Sequence, residues 1–289
     1  TVTLKNEDVC DREMSALVTW ADLIGRGIRD TEKQVPSNLD GESGDWNFIA
    51  SPATYAKGIE INGKTATYKG VMQYTQKQIL PRKATFQNYN TSFMLLAESK
   101  ENCEITILKN FDVNDENALC DFVNGGKLSV YDESASVLSG ENQGKPNETV
   151  SASAVCVKQT VKAGETAEMK FMVTWFMPEI SPEQLGAINH MEGCDYNKYY
   201  HNFFASAEEV AAYAIDNRGA ALNGIHEWQQ PILNGSMPDW LKFKLINSGY
   251  TLYSNSVLNK RGNYSSLEGE MGGYGGTMDQ KMSSHPFYE

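Results

Sequence analysis

The densest gathering of chemically capable side chains is Leu267-Glu268-Gly269-Glu270-Met271-Gly272-Gly273-Tyr274-Gly275-Gly276-Thr277-Met278-Asp279-Gln280, where three carboxylates, a tyrosine and five glycines fall within 14 residues. Glycines let the backbone adopt positive φ and approach a ligand closely. Two carboxylates beside a polar cavity are what acid–base or nucleophilic chemistry at a glycosidic bond requires. The competing reading is a solvated loop with incidental acids. A phosphate loop for nucleotide binding is excluded, because the glycine run lacks a trailing Gly-Lys-Ser/Thr and does not match G-x-G-x-x-G. His190, His201, His226 and His285 form no H-E-x-x-H or H-x-H pair, so the sequence announces no metal site and no cofactor. Cys10, Cys103, Cys120, Cys156 and Cys194 contain no C-x-x-C pair and read as isolated, mostly buried thiols.

The elements that must position these groups belong to a chain of 289 residues, long enough for one large domain or two ordinary ones. With 25 Lys+Arg against 37 Asp+Glu the net charge is −12, which repels phosphate backbones and anionic lipid and excludes nucleic acid as a partner. The longest apolar runs, Phe93 to Ala97 and Phe171 to Met177, fall far short of the roughly 18 to 20 residues that span a bilayer, so no transmembrane segment is expected. Residue 1 is Thr, and the first residues lack a signal-peptide pattern, which reads as a fragment or a processed chain. Sequons at Asn90, Asn147, Asn234 and Asn263 leave the compartment open, and the chain reads as soluble with a lean to a secreted or extracytoplasmic setting.

Strand signals fill residues 1–180. From Ala167 the apolar Ala167, Met169, Phe171, Val173 and Trp175 alternate with polar neighbours, which predicts one strand with those five side chains in the core. Gly164-Glu165 predicts an antiparallel hairpin with the run Val150 to Val161, and Pro178 ends the pattern. Further strands are expected at Ser15 to Leu23, Ala66 to Thr75, Ser92 to Ala97 and Ile105 to Phe111. Many short strands with polar turns predict an antiparallel sandwich. Ser206 and Glu209 form a capping-box signature ahead of a helix over Ala207 to Trp228, interrupted by Gly219 and Gly224. A second helix, Pro238 to Leu258, is expected to bury Ile246, Tyr250, Tyr253 and Val257 on one face.

In their order and spacing these pieces resemble glycoside hydrolase family 116, the bacterial β-glucosidases and animal non-lysosomal glucosylceramidases. The resemblance is carried by Ser15-Ala16-Leu17-Val18-Thr19-Trp20 with Leu23-Ile24-Gly25, by Ala154-Val155-Cys156-Val157, and by Thr174-Trp175-Phe176-Met177-Pro178-Glu179-Ile180. Tyr196 to Phe204, Trp228-Gln229-Gln230-Pro231-Ile232-Leu233 and Met237-Pro238-Asp239-Trp240 resemble the connecting helix and the entry to the catalytic barrel.

The resemblance implies a multidomain β + α protein: an antiparallel β-sandwich over 1–180, a connecting helical segment over 181–236, and from 237 to 289 the first helices of an (α/α)6 barrel that is incomplete in this chain. It implies retaining hydrolysis of β-linked glycosides, with Glu268 of Leu267-Glu268-Gly269 as nucleophile. Asp279, in Thr277-Met278-Asp279 eleven residues on, would bind the sugar together with Thr277. The partners it implies are a carbohydrate substrate and the remaining catalytic polypeptide, from the same gene or a partner chain, since the family's acid/base segment lies beyond Glu289. The alternative is a non-catalytic carbohydrate-binding or structural protein that keeps the family fold.

Overall fold

The computed structural model describes residues 1–21, 27–28, 48–49, 54–75, 91–113, 115–129, 136–137, 151–177, 198–249, 256–262 and 264–266. The chain divides into two compact units, Thr1–Met177 with Phe204–Ile215, and Pro178–Phe203 with Asp216–Glu289.

The first unit is mainly antiparallel sheet. Its strands are β1 (Val2–Lys5), β2 (Arg12–Ala21), β3 (Gly27–Ile28), β4 (Phe48–Ile49), β5 (Thr54–Asn62), β6 (Thr67–Thr75), β7 (Ser92–Ser99), β8 (Cys103–Asp112), β9 (Ser136–Val137), β10 (Ser151–Val161), β11 (Thr166–Met169) and β12 (Phe171–Phe176). A five-stranded sheet runs β12-β7-β6-β5-β9 and a three-stranded one β2-β10-β8, while β1 pairs with β11 and β3 with β4. Ala56, Val71, Phe93, Leu95 and Ala97 of the large sheet pack with Ala16, Ile107, Val155 and Val157 of the small one, the arrangement of a two-layer sandwich core. At one end of this interface Trp20 stacks on Phe93 across the sheets, ring centroids 5.1 Å apart.

β7 is buried at every position from Ser92 to Ala97, so the large sheet is covered on both faces along this strand. A strand in that setting loses its polar alternation and reads as a continuous apolar run. Its second face carries Met94 and Leu96 beside Met72 of β6, all buried. The small sheet is capped on its outer side by α1 (Cys120–Gly125), where Leu119, Phe122 and Leu128 pack on Ala154 and Cys156. Gly126 ends α1 at φ 68°, and a Cβ there would meet Ser15 Oγ at 2.6 Å, so both conformation and space call for glycine.

The long helix α2 (Ala207–Leu233) begins in this unit, with Ala207, Ala211 and Ile215 forming a buried stripe at a spacing of four. Its capping box is built as the sequence predicts: Glu209 N–H donates to Ser206 Oγ at 3.3 Å, and Glu209 Oε2 accepts the Ala205 N–H at 2.8 Å. Thr65 Oγ1, in the β5–β6 turn, donates to the Ile215 carbonyl at 3.2 Å. The helix runs unbroken through Gly219 and Gly224 to Leu233. No helix among the described residues is long and apolar enough to cross a membrane.

Four expectations are corrected here. The hairpin between residues 150–161 and 166–175 does not form, because after the turn at Gly164 the chain leaves the small sheet: β11 pairs with β1 and β12 with β7. The expected single strand breaks at Lys170, whose carbonyl accepts the Glu98 N–H at 2.9 Å and whose ammonium lies 3.2 Å from the Glu98 carboxylate. Of the five side chains expected in the core, Ala167 and Met169 are buried and Phe171 and Val173 partly so, but Trp175 is 55% exposed. Trp175 sits next to the end of β12 with only β7 beside it, so it has the core-side orientation without a covering layer. Nor are the thiols of the described residues mostly buried: Cys156 is, Cys10 is exposed and Cys103 and Cys120 are half-buried, while Cys194 lies outside the described residues.

The crossing between sheets is fastened by Asn6, which is buried and fully satisfied. Its Nδ2 donates to the Val161 and Cys10 carbonyls at 2.8 and 2.9 Å, its Oδ1 accepts the Asp8 N–H at 3.0 Å, and its own backbone pairs with Gly164 N and Glu165 O at 2.9 Å. Asn6→Ala leaves those side-chain partners unpaired and is expected to lower unfolding stability in urea by about 2 to 4 kcal/mol. Glycines give a pair of opposite sign. A Cβ at Gly70 would lie 2.0 Å from the Leu95 carbonyl oxygen, a backbone clash between central strands, so Gly70→Ala should destabilise by about 3 kcal/mol or more. A Cβ at Gly219 meets nothing within 4 Å, and Gly219→Ala should stabilise the helix by about 0.5 to 1 kcal/mol in the same assay.

Candidate functional site

In the second unit α2 continues from Asp216 and is followed by α3 (Asp239–Ser248) and the hairpin β13 (Ser256–Leu258) with β14 (Tyr264–Ser266). The helix expected from Pro238 to Leu258 is therefore corrected. It ends at Ser248, whose hydroxyl donates back to the Leu245 carbonyl at 2.9 Å, and Val257 lies in a strand. A serine competing in this way for backbone groups favours a helix end over its interior. Ile246 is half-buried and no residue of α3 is fully buried, with Trp240 and Phe243 among the exposed side chains. Tyr250 and Tyr253 lie outside the described residues.

The hairpin is held at its tip. Asn259, itself buried, accepts the Gly262 N–H on its carbonyl at 2.9 Å and the Arg261 N–H on Oδ1 at 3.1 Å, which closes the turn, and Gly262 sits at φ 84°. A left-handed position of this kind is one that glycine takes without strain. Residues 198–202 bind this tip: Lys198 bridges Asn259 in antiparallel fashion, and Asn202 Nδ2 donates to the Lys260 carbonyl at 2.8 Å. The Tyr199 ring lies 3.8 Å from where a Cβ on Gly262 would stand. Of the expected connecting helix over Tyr196 to Phe204, the described part is one 3-10 turn, Tyr199–Asn202.

Ser266, the last described residue of β14, precedes Glu268 by two positions. Glu268, Thr277 and Asp279 lie outside the described residues, as do Gly272 to Gly276. The sequence reading missed Lys198, Asn202 and Asn259. The cluster Asn259-Lys260-Arg261-Gly262 between Val257-Leu258 and Tyr264 carries turn chemistry that marks a hairpin, whereas nothing local marks Asn202, whose partner is 58 residues away.

Burial pushes the Cys156 thiol up to about 11 and raises Cys103 as well, which keeps both protonated and poorly nucleophilic at neutral pH. Among the described residues no three His, Cys, Asp or Glu side chains gather where a metal ion could bind.

The fold so defined is a two-sheet antiparallel sandwich whose last helix continues into a second, helical unit, with a docked hairpin leading into an acidic, glycine-rich segment. A family model described as beta-glucosidase 2, glycosyl-hydrolase family 116 N-term, matches residues 1–220 of the 289, and the chain belongs to that family.

Lys198 offers a test of the tip's packing. Its burial lowers the ammonium pKa below the ordinary lysine value, so between the lowered value and about 10.4 the unfolded chain binds more protons than the folded one. That difference makes stability rise with pH across this window. Lys198→Met keeps the aliphatic stem and the backbone bridge, and is expected to raise stability at pH 7 and to flatten the rise toward pH 10 in urea titrations at the two pH values.

Proposed function

We propose that the protein is a retaining β-glycosidase acting on soluble β-glucosides, with Glu268 as nucleophile and Asp279, assisted by Thr277, as the sugar-binding group. The observation that carries the reading is the family membership over residues 1–220 together with Leu267-Glu268-Gly269 and Thr277-Met278-Asp279 at an offset of eleven. The helices from residue 237 onward begin an (α/α)6 catalytic barrel in this reading, and the remaining catalytic polypeptide, from the same gene or a partner chain, supplies the acid.

The chemistry follows from the two carboxylates. A Glu268 carboxylate oxygen attacks the anomeric carbon as the glycosidic C–O bond breaks, the acid gives its proton to the leaving oxygen, and a glycosyl ester remains on Glu268. Water, deprotonated by the same acid in its conjugate-base form, then attacks the anomeric carbon and frees the carboxylate, so configuration is retained over two inversions. Asp279 accepts hydrogen bonds from ring hydroxyls whose acidity grows as the oxocarbenium-like transition state develops, without taking part in bond exchange. The acidic, polar sequence, with a net charge of −12, announces no membrane-facing apolar rim for a lipid aglycone, which favours soluble glucosides over glucosylceramide in this reading.

Mass spectrometry after treatment with a 2-fluoro-glucoside tests the assignment, because the reagent traps the covalent ester. Label is expected on Glu268, and Glu268→Gln is expected to abolish turnover even of aryl glucosides that need no acid. Label elsewhere, or full activity of that variant, would discard the nucleophile. Asp279→Asn should both weaken binding and slow turnover, with about 1.5 to 3 kcal/mol lost per charge-assisted hydrogen bond.

A further inference from the structure

Two tryptophans of the first unit stand on inward-facing rows of the sandwich and are nonetheless open to water, Trp20 at 43% and Trp175 at 55%. Trp20 follows Ala16 and Val18 along β2, and Trp175 follows Phe171 and Val173 along β12, rows that otherwise pack on the core. The two come from different sheets and adjoin one residue. Trp20 stacks on Phe93 with ring centroids 5.1 Å apart and planes 25° from parallel, while Trp175 lies directly opposite Phe93 in register, on the same face of the large sheet. Apolar side chains exposed singly call for no explanation, but two indoles gathered on one buried phenyl ring make a patch, and such patches mark sites of contact.

The next position across the row is polar. Gln73 of β6 is paired with Phe93 on the side away from Trp175, is 1% exposed, and has no hydrogen-bond partner on its amide oxygen or its amide nitrogen among the described residues. A buried amide left unmatched destabilises the folded chain, so one kept beside an open aromatic patch calls for a partner from outside the chain.

We propose that Trp20, Phe93, Trp175 and Gln73 form a carbohydrate-binding site on the first unit that takes a neutral β-linked gluco-oligosaccharide. The choice of sugar rests on the β-glucosidase reading, whereas the site itself does not involve Glu268 or Asp279. A β-glucopyranose ring carries its hydroxyls at the rim and axial C–H groups on both faces. Those slightly positive hydrogens are attracted by the negative face of an indole. Neighbouring hydroxyls match the amide, one accepting from Nε2 and the next donating to Oε1. None of the four side chains is charged, which suits an uncharged ligand, and a mostly apolar surface with a few polar groups is the usual make-up of a small-molecule site.

The experiment uses the whole protein labelled with 5-fluorotryptophan, its fluorine resonances assigned by single Trp→Phe exchanges, titrated with thio-linked cellotetraose, which resists hydrolysis. The Trp20 and Trp175 resonances should shift together with one Kd on the order of 1 mM. Trp175→Ala, at an exposed position, should raise that Kd about 10-fold or more, read on the Trp20 resonance. Gln73→Leu should raise it about 5- to 10-fold while Tm holds or rises, because an unmatched amide has been exchanged for an apolar side chain. Resonances of Trp20 and Trp175 that stay fixed up to about 10 mM ligand overturn the site, as do shifts confined to other tryptophans. A Kd unchanged in either variant also overturns it. So does a fall in Tm of more than about 4 °C in Gln73→Leu, which would place the partner of the amide inside the protein. None of these outcomes touches the nucleophile, which is judged separately by the 2-fluoro-glucoside label on Glu268.

Discussion

A strand with apolar side chains on both faces cannot leave either face in water, and β7 imposes that constraint on the first unit. Phe93, Leu95 and Ala97 point one way and Met94 and Leu96 the other, all buried, each large side chain contributing about 1.5 to 3 kcal/mol relative to exposure. One face is answered by the small sheet through Ala16, Ile107, Val155 and Val157. On the other, the neighbouring strand adds Met72 beside Met94. The unit is discontinuous in sequence: after leaving it at Met177 the chain returns with Phe204–Ile215, whose Ala207, Ala211 and Ile215 are buried.

That demand also explains how the chain must travel. β5, β6 and β7 turn back on one another within the large sheet, but from β8 onward strands of the small sheet (β8, β10) alternate with strands of the large one (β9, β12), so there the path has to cross. Asn6 is placed where the crossing after β10 occurs, and a side chain that both donates and accepts can bind three backbone groups there without leaving a polar atom unmatched. Gln73 marks the opposite situation, a buried amide beside Phe93 on the core-facing row whose oxygen and nitrogen both lack a partner among the described residues.

Much of this was legible locally. The runs at 151–161 and 92–99, the Ser206–Glu209 box and the sandwich class follow from period and cap chemistry that each segment carries in itself. The failures share a cause. Gly164 has the same turn chemistry whether the chain re-enters its own sheet or crosses to another, so the expected hairpin had no local contradiction. Alternation assigns Trp175 to a face but says nothing of whether that face is covered at a sheet's edge. Val257 fits a helical spacing from Ile246, but a serine at the helix end and a turn at Asn259 to Gly262 go with its place in a strand. For the proposed site, Glu268 and Asp279 are assigned from motifs in a resemblance to a family, whereas the contact of Asn202 with residue 260 exists only once the chain is folded.

The antiparallel pairing of the first strands with distant partners has a consequence during synthesis. Val2 is opposite Met169 and Leu17 opposite Cys156, so the amino-terminal strands emerge from the ribosome roughly 140 to 170 residues ahead of the strands that will pair with them. At about 5 to 20 residues per second this is a wait on the order of ten seconds, long compared with hairpin formation in microseconds. Throughout it Val2, Leu4, Ala16, Leu17 and Val18 have no native partner strand, and their backbone groups are open to any other nascent chain nearby. β1 and β2 thus wait longer for their partners than β5 and β6 do for theirs, which makes them the segment that a holding chaperone has most reason to bind.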